Sequence, residues 1–264
     1  MTGRRIPVTK ALVARSLAVD ESVAVTLVDS GMVLVNGSIA QSAAHLVAAS
    51  DALVVKHPDR FVSRGGEKLD FALNHFQINI TSKNVLDAGA STGGFTDCLL
   101  QRGVGRVVAV DVGKSQMHQT IARDQRVVVC DETNIRDLEN AAQLDNHALG
   151  SIFRTQFDLA VVDLSFISLK VVARALVACV VPGGQMILLV KPQFEATRLE
   201  VDRGSGIIRD AEIHQRVVTE VGAAFASLGC TVRGVVDSPI KGAQGNTEFL
   251  MCLDIGATDA TPND

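Results

Sequence analysis

Neither tryptophan nor tyrosine occurs in the 264 residues, so ten phenylalanines carry every aromatic contact the chain can make. The five cysteines, Cys98, Cys130, Cys179, Cys230 and Cys252, are odd in number and never spaced as Cys-x-x-Cys. That argues against a disulfide framework or a metal site and for a reducing compartment, the cytoplasm. No run of about 18 apolar residues is present, and Met1-Thr2-Gly3-Arg4-Arg5 lacks the pattern of a secretory signal, so no membrane span is expected. Strong charge of either sign is missing too. The net charge is -4, so any surface for nucleic acid must be local. There is no internal repeat and no low-complexity tract. What is present, 47% hydrophobic and 20% charged residues, is enough to bury a sizeable core, in one large domain or in one medium and one small.

The chain is organised around Lys83 to Thr96. The short apolar run Val85-Leu86 leads at once into Asp87-Ala88-Gly89-Ala90-Ser91-Thr92-Gly93, and an amphipathic stretch, Phe95 to Arg102, follows. This reads as strand, glycine turn, helix. In an open α/β sheet the crevice at the carboxyl end of the first strand is where ligands sit. Gly89 and Gly93 are four apart, which is not the G-x-G-x-x-G spacing that suits a pyrophosphate at a helix N-terminus. Asp-x-Gly-x-x-x-Gly instead resembles motif I of S-adenosylmethionine-dependent methyltransferases, whose donor carries no phosphate. A glycine-rich turn of another Rossmann-like enzyme is the alternative.

Residues 1–56 read as a small separate unit. Val8 to Ser16 and Ser22 to Val28 fit two short helices, Asp20 is placed to cap the second, and Gly31 closes it. Met32 to Gly37 is a strand entering an Asn-Gly hairpin turn. The unit holds five Lys/Arg against four Asp/Glu, net +1, with Arg4, Arg5, Lys10 and Arg15 all before position 16. A junction follows, where Pro58 and Gly65-Gly66 are expected to break regular structure around Arg60, an exposed Phe61, Arg64 and Lys68. From residue 84 strands and helices alternate. The second strand ends on Asp111, 22 residues past Gly89, where a carboxylate suits ribose hydroxyls. The third ends at Asp131-Glu132-Thr133-Asn134, a polar loop where an adenine could be read. The fourth ends at Asp163, and the fifth, after a Pro182-Gly183-Gly184 turn, at Lys191. Residues 195–209 read as a mobile surface loop, Asp210 to Leu228 as a capped helix, and two strands close the fold.

Lys68 before the first strand, Asp163 and Lys191 at the ends of the fourth and fifth, and Glu248 in the last strand are polar residues at positions that meet beside the crevice. Two cations and two carboxylates there would balance one another. A lysine held by acids can orient a hydroxyl, stabilise a developing alkoxide or accept a proton. The order Lys68, Asp163, Lys191, Glu248 resembles the K-D-K-E tetrad of ribose 2′-O-methyltransferases related to FtsJ. The runs Ser63-Arg64-Gly65-Gly66-Glu67-Lys68-Leu69, Leu86 to Thr96, Val162 to Leu169, Val190-Lys191-Pro192-Gln193-Phe194-Glu195 and Gly245-Asn246-Thr247-Glu248-Phe249 resemble the TlyA family more closely. Phe61 stands where that family has Trp.

The resemblance implies a Rossmann-like class I methyltransferase domain with a seven-stranded sheet over residues 68–256, preceded by a small α+β S4-like RNA-binding domain over 1–57. A linker over 58–67 and a disordered tail over 257–264 complete the expected organisation. It implies S-adenosylmethionine as cofactor, held by Asp87, Gly89, Ala90, Ser91, Thr92, Gly93, Phe95, Asp111, Asp131, Glu132 and Asp163. It implies ribosomal RNA, within ribosomal subunits, as partner, met by Arg4, Arg5, Lys10, Arg15, Arg60 and Arg64. The activity implied is 2′-O-methylation of cytidine in 16S or 23S ribosomal RNA, with Lys191 activating the hydroxyl. Two alternatives stand beside it. Asp163-Leu164-Ser165-Phe166 superficially resembles the Asp-Pro-Pro-Tyr motif of amino methyltransferases, but lacks the prolines. A hemolysin-like binding protein would need an amphipathic basic helix, and none is evident.

Overall fold

The computed structural model describes residues 5–56, 60–138, 152–153 and 155–256. Arg4 and the tail at 257–264 lie outside them. The chain divides into two compact units, Met1–Asp59 and Arg60–Asp264.

The first unit is built on short elements that its turn chemistry dictates. Helices α1 (Val8–Ala14) and α2 (Glu21–Asp29) are separated by a turn, and the Asp20 side chain caps α2 by accepting from the Val23 N–H at 2.9 Å. Strands β2 (Val33–Val35) and β3 (Ser38–Ile39) form the expected hairpin, with Asn36 and Gly37 both at positive φ, 49° and 86°. Strand β5 (Leu53–Val55) pairs with the free edge of β2, while β1 (Ile6–Pro7) pairs with β4 (Leu46–Val47). Val8, Leu12, Ala24, Val28 and Val33 close a small apolar core.

The second unit is a seven-stranded sheet in the order β11-β12-β10-β9-β6-β7-β8. The strands are β6 (Asn84–Ala88), β7 (Arg106–Val110), β8 (Val127–Cys130), β9 (Phe157–Val162), β10 (Val180–Val190), β11 (Cys230–Asp237) and β12 (Phe249–Ile255). The five strands β8, β7, β6, β9 and β10 run parallel, and β12 is antiparallel to both its neighbours. Both faces are covered, so the strands are apolar at consecutive positions. Leu86, Val108, Val162 and Leu188 pack with Leu176 of α6 (Leu169–Cys179) and Phe225 of α9 (Ala211–Ala226). Val85, Val107, Val161 and Ile187 pack on the other face with Leu73 of α3 (Gly65–His75), Leu99 of α4 (Gly94–Gln101) and Ile121 of α5 (Gln119–Ala122). Register places Ala88 beside both Val110 and Val162, so the carboxyl ends of β6, β7 and β9 finish level. Among the described residues no helix is long and apolar enough to cross a membrane.

Several local expectations are corrected. Gly65-Gly66 does not break structure but opens α3. Gly66 is needed there because a Cβ would stand 2.2 Å from Cγ of Phe61. Phe61 is accordingly 4% exposed, not a surface aromatic. Residues from Arg60 onward belong to the second unit. They are fastened by Val62 N–H to Asp97 at 2.8 Å and by Gln101 to the Arg60 carbonyl at 2.8 Å. The segment 195–209 holds the end of α7 (Pro192–Glu195) and the whole of α8 (Arg198–Arg203). A reciprocal Thr197–Glu200 cap starts α8, and Arg216 of α9 binds Glu200 at 2.7 Å. Pro182-Gly183-Gly184 falls inside β10, as a register irregularity against β9 between Val180 and Gln185.

Candidate active site

Topology brings the four polar residues to one place. Asp163 leaves the end of β9, where its N–H donates to the Ala88 carbonyl at 2.9 Å. Lys191 leaves the end of β10. Its Nζ lies 2.6 Å from Asp163 Oδ1 and donates to Ser165 Oγ at 2.9 Å. Lys68, on the first turns of α3, pairs with Glu248 at 2.5 Å, just before β12 begins. The antiparallel direction of β12 is what sets its entering residue beside the leaving ends of the parallel strands. Lys68, Lys191 and Glu248 are 7%, 9% and 3% exposed, so each charge depends on its partner for compensation. The tetrad is thus two ion pairs rather than one lysine between two acids. Both pairs line a cavity of about 410 Å³ with Arg64, Gly89 and Phe166.

A second cavity of about 420 Å³ adjoins it, and Gly89, Ser91, Asp163, Ser165 and Phe166 line both. Gly89 shapes the passage. Its φ is 86°, and a Cβ would stand 2.6 Å from the Asp163 carbonyl oxygen. Asp111 lies in the second cavity, at the end of β7 as expected. Its two carboxylate oxygens accept from the N–H groups of Ser91, at 2.9 Å, and Gly113, at 2.7 Å. Each oxygen keeps a lone pair for a further donor. Ala90, Thr92 and Phe95 line the first cavity.

Other expected residues stand elsewhere. Asp87 is fully buried within β6, accepts from the Thr96 hydroxyl at 2.6 Å and lines neither cavity. Burial pushes its carboxyl up to about 7, with the charges of Asp163 and Asp111 adding to the effect and the Thr96 hydrogen bond opposing it. Gly93, at φ 93°, caps α4 beneath the turn. Asp131 accepts from Ser115 N–H at 2.8 Å, and Glu132 pairs with Lys114 at 3.0 Å on the surface. The next two residues, Thr133 and Asn134, line the second cavity in their place. The polar loop was legible, but which of its residues face inward depends on the positive φ at Glu132, 52°.

Of the basic residues, Arg5 and Lys10 are exposed. Arg15 is engaged within its own unit, donating to the carbonyls of Ala48, Ala49 and Asp51 at 2.7–3.1 Å. Arg60 pairs with Asp70, which also holds Arg102, each at 2.5 Å. Ser63, Ser165, Phe166, Gln193 and Phe194 line the first cavity without having been singled out, although each sits in a motif beside a residue that was. Phe166 is 92% exposed and has φ 64°.

The FtsJ-like methyltransferase family model matches residues 61–255. The 16S/23S rRNA (cytidine-2′-O)-methyltransferase TlyA of Mycobacterium tuberculosis is 41% identical over 95% of this chain and 90% of that protein. Hemolysin A of Brachyspira hyodysenteriae is 38% identical over 84% of this chain and 88% of that protein. A solved structure from Streptococcus thermophilus, 35% identical, covers 97% of this chain and 91% of that one with a TM-score of 0.69. A β6 turn without the pyrophosphate-binding glycine spacing, an acid at the end of β7 and a cavity leading from both to a paired lysine suit S-adenosylmethionine, the cofactor of these methyltransferases. The chain belongs to the TlyA family of FtsJ-like methyltransferases.

Proposed function

We propose that the chain methylates the 2′-hydroxyl of a cytidine in 16S or 23S ribosomal RNA, with S-adenosylmethionine as donor and Lys191 activating the hydroxyl. One observation carries the reading. Lys191 Nζ is held against Asp163 and Ser165, the two residues beside it that line both cavities. The second cavity would take the nucleoside of the donor, with Asp111 accepting from ribose hydroxyls and Thr133 and Asn134 beside the base. When bound, the donor supplies an electrophilic methyl on a sulfonium. Asp163 balances the charge of Lys191 and orients it. Lys191 meets the acceptor hydroxyl, aligns it and stabilises the oxygen as it gains charge, the hydroxyl proton leaving to solvent as the methyl is transferred. Glu248 keeps Lys68 paired at the far wall, so a second cation adds to the field without drifting into the acceptor's place.

Phe166 supports a nucleic-acid acceptor. A bare ring beside the reaction cavity offers a stacking face to an unstacked base. Arg64 in the cavity wall, and Arg5 and Lys10 on an S4-like first unit, would meet phosphates. Such a reaction takes place in the cytoplasm, on RNA or on an assembled subunit.

The test is incorporation of tritium from labelled S-adenosylmethionine into ribosomal RNA, into each ribosomal subunit and into tRNA. Label should enter ribosomal RNA at an alkali-resistant linkage, and Lys191→Ala should abolish it. Label at an alkali-labile position would mean a base is methylated, and label surviving Lys191→Ala would remove the lysine from the reaction.

A further inference from the structure

Ser165 stands on the shared wall of the two cavities, directly beneath Lys191. Its Oγ accepts from Lys191 Nζ at 2.9 Å and has no other hydrogen-bond partner among the described residues. A lysine ammonium is a point charge on a flexible four-carbon stem. Asp163 Oδ1, 2.6 Å away, fixes its distance but leaves it free to swing about that oxygen. A second acceptor, two residues further along the same loop, removes that freedom.

The loop itself is built to keep Ser165 in place. Phe166 turns the chain immediately after it at φ 64°, a conformation a bulky side chain adopts only when its surroundings impose it. The Phe166 ring packs on Phe194, with centroids 5.3 Å apart. The Ser168 hydroxyl and the Leu169 N–H both donate to the buried Glu195 carboxylate, at 2.6 and 2.7 Å. Residues 163–169 are therefore fastened to residues 191–195 at three successive points, Lys191, Phe194 and Glu195. The turn at Phe166 and the hold of Glu195 on Ser168 and Leu169 flank Ser165 on a loop whose hydroxyl meets the ammonium.

We propose that Ser165 is a positioning residue for methyl transfer: with Asp163 it pins Lys191 Nζ so that the remaining direction of the nitrogen meets the acceptor hydroxyl. The proposal rests on the reading of Lys191 given above. Its cost if lost is set by geometry, since a misplacement of about 1 Å lowers rate by about 100-fold.

The experiment uses the full chain, tritiated S-adenosylmethionine and the RNA or subunit that the unsubstituted protein methylates, with Lys191→Ala as the zero. Ser165→Ala should lower kcat about 10- to 100-fold, while the KM for RNA and the calorimetric Kd for the donor stay within about twofold. Ser165→Thr, which keeps the hydroxyl on an exposed loop, should recover kcat to within about threefold. A kcat for Ser165→Ala within about twofold of the parent overturns the proposal. So does a weakened donor with kcat retained, which would make Ser165 a donor-binding residue, or a threonine variant as slow as the alanine one, which would assign the effect to loop shape. If the unsubstituted protein methylates no RNA, the functional reading falls and this inference with it. An active parent with an unaffected Ser165→Ala removes this inference alone.

Discussion

At Asp87 the fold keeps a carboxyl where water does not reach, and the consequence is a pH-dependent stability. Its pKa rises from 3.8 to about 7, chiefly by burial. Between those values the folded chain binds more proton than the unfolded one, so stability falls as pH rises across that window and stays low above it. Asp87→Asn keeps an acceptor for Thr96 and has no charge to bury. The melting temperature of the parent should therefore drop more than that of Asp87→Asn between about pH 5 and about pH 8. Parallel curves would mean the carboxyl ionises as readily in the fold as out of it. Gly89 makes a second residue-scale prediction. Alanine there meets the Asp163 carbonyl at 2.6 Å and must hold φ near 86°, so Gly89→Ala should weaken donor binding at least about tenfold by calorimetry. Gly89, Asp111, Asp163 and Lys191 were all legible as residues that end strands, because strand ends follow from where apolar runs stop. That Ser165 meets Lys191, and that Thr133 and Asn134 rather than Asp131 and Glu132 face the cavity, was not, since which way a loop residue turns depends on backbone angles, such as those at Phe166 and Glu132, that no spacing encodes.

At the scale of elements, the start of the second unit is a clasp on α3 and α4. Asp70 of α3 takes Arg60 from the preceding segment and Arg102 from just past α4, and Arg102 also reaches Asn74 at 2.7 Å. Two guanidiniums hold the Asp70 carboxyl below its usual range against the opposing effect of burial, which is the largest single influence. Removing the acid takes the carboxylate from the half-buried Arg102, so Asp70→Ala should cost about 2 kcal/mol in urea unfolding. Arg60→Ala should cost less than about 1 kcal/mol, because Arg60 is mostly exposed while Arg102 remains to pair the acid. Equal losses would mean the clasp is not centred on Asp70. The sequence showed basic residues gathering near position 60 but not their partners, because an exposed arginine awaiting phosphate and one already paired with a distant acid have the same local pattern. The same blindness affected α8. Its charged sequence read as a loop, and what makes it a helix is the Thr197–Glu200 cap and the hold of Arg216, contributed from α9.

For the molecule as a whole, the division of labour between the units can be tested by charge. Arg5 and Lys10 are exposed, whereas Arg15 is occupied by carbonyls of its own unit. Reversing Arg5 and Lys10 to Glu should raise the KM for ribosomal RNA about tenfold and reduce its salt dependence by about two counterions, with the donor Kd unchanged. An unaltered KM would take RNA binding away from the first unit. The order of the sheet was readable because each strand carries its own apolar signature. That Lys68 and Glu248 come to one crevice was readable from strand positions and from the family resemblance, but that they pair with each other, 180 positions apart, was not. That separation also has a meaning in time. A chain emerging from the ribosome delivers Lys68 first of the four, then the strands that carry Asp163 and Lys191, and Glu248 last. Until β12 has been made and has slotted between β10 and β11, Lys68 has no counter-charge and the far wall of the cavity is missing. Through the 180 residues between Lys68 and Glu248, the growing chain carries one half of an ion pair and a site still to be assembled.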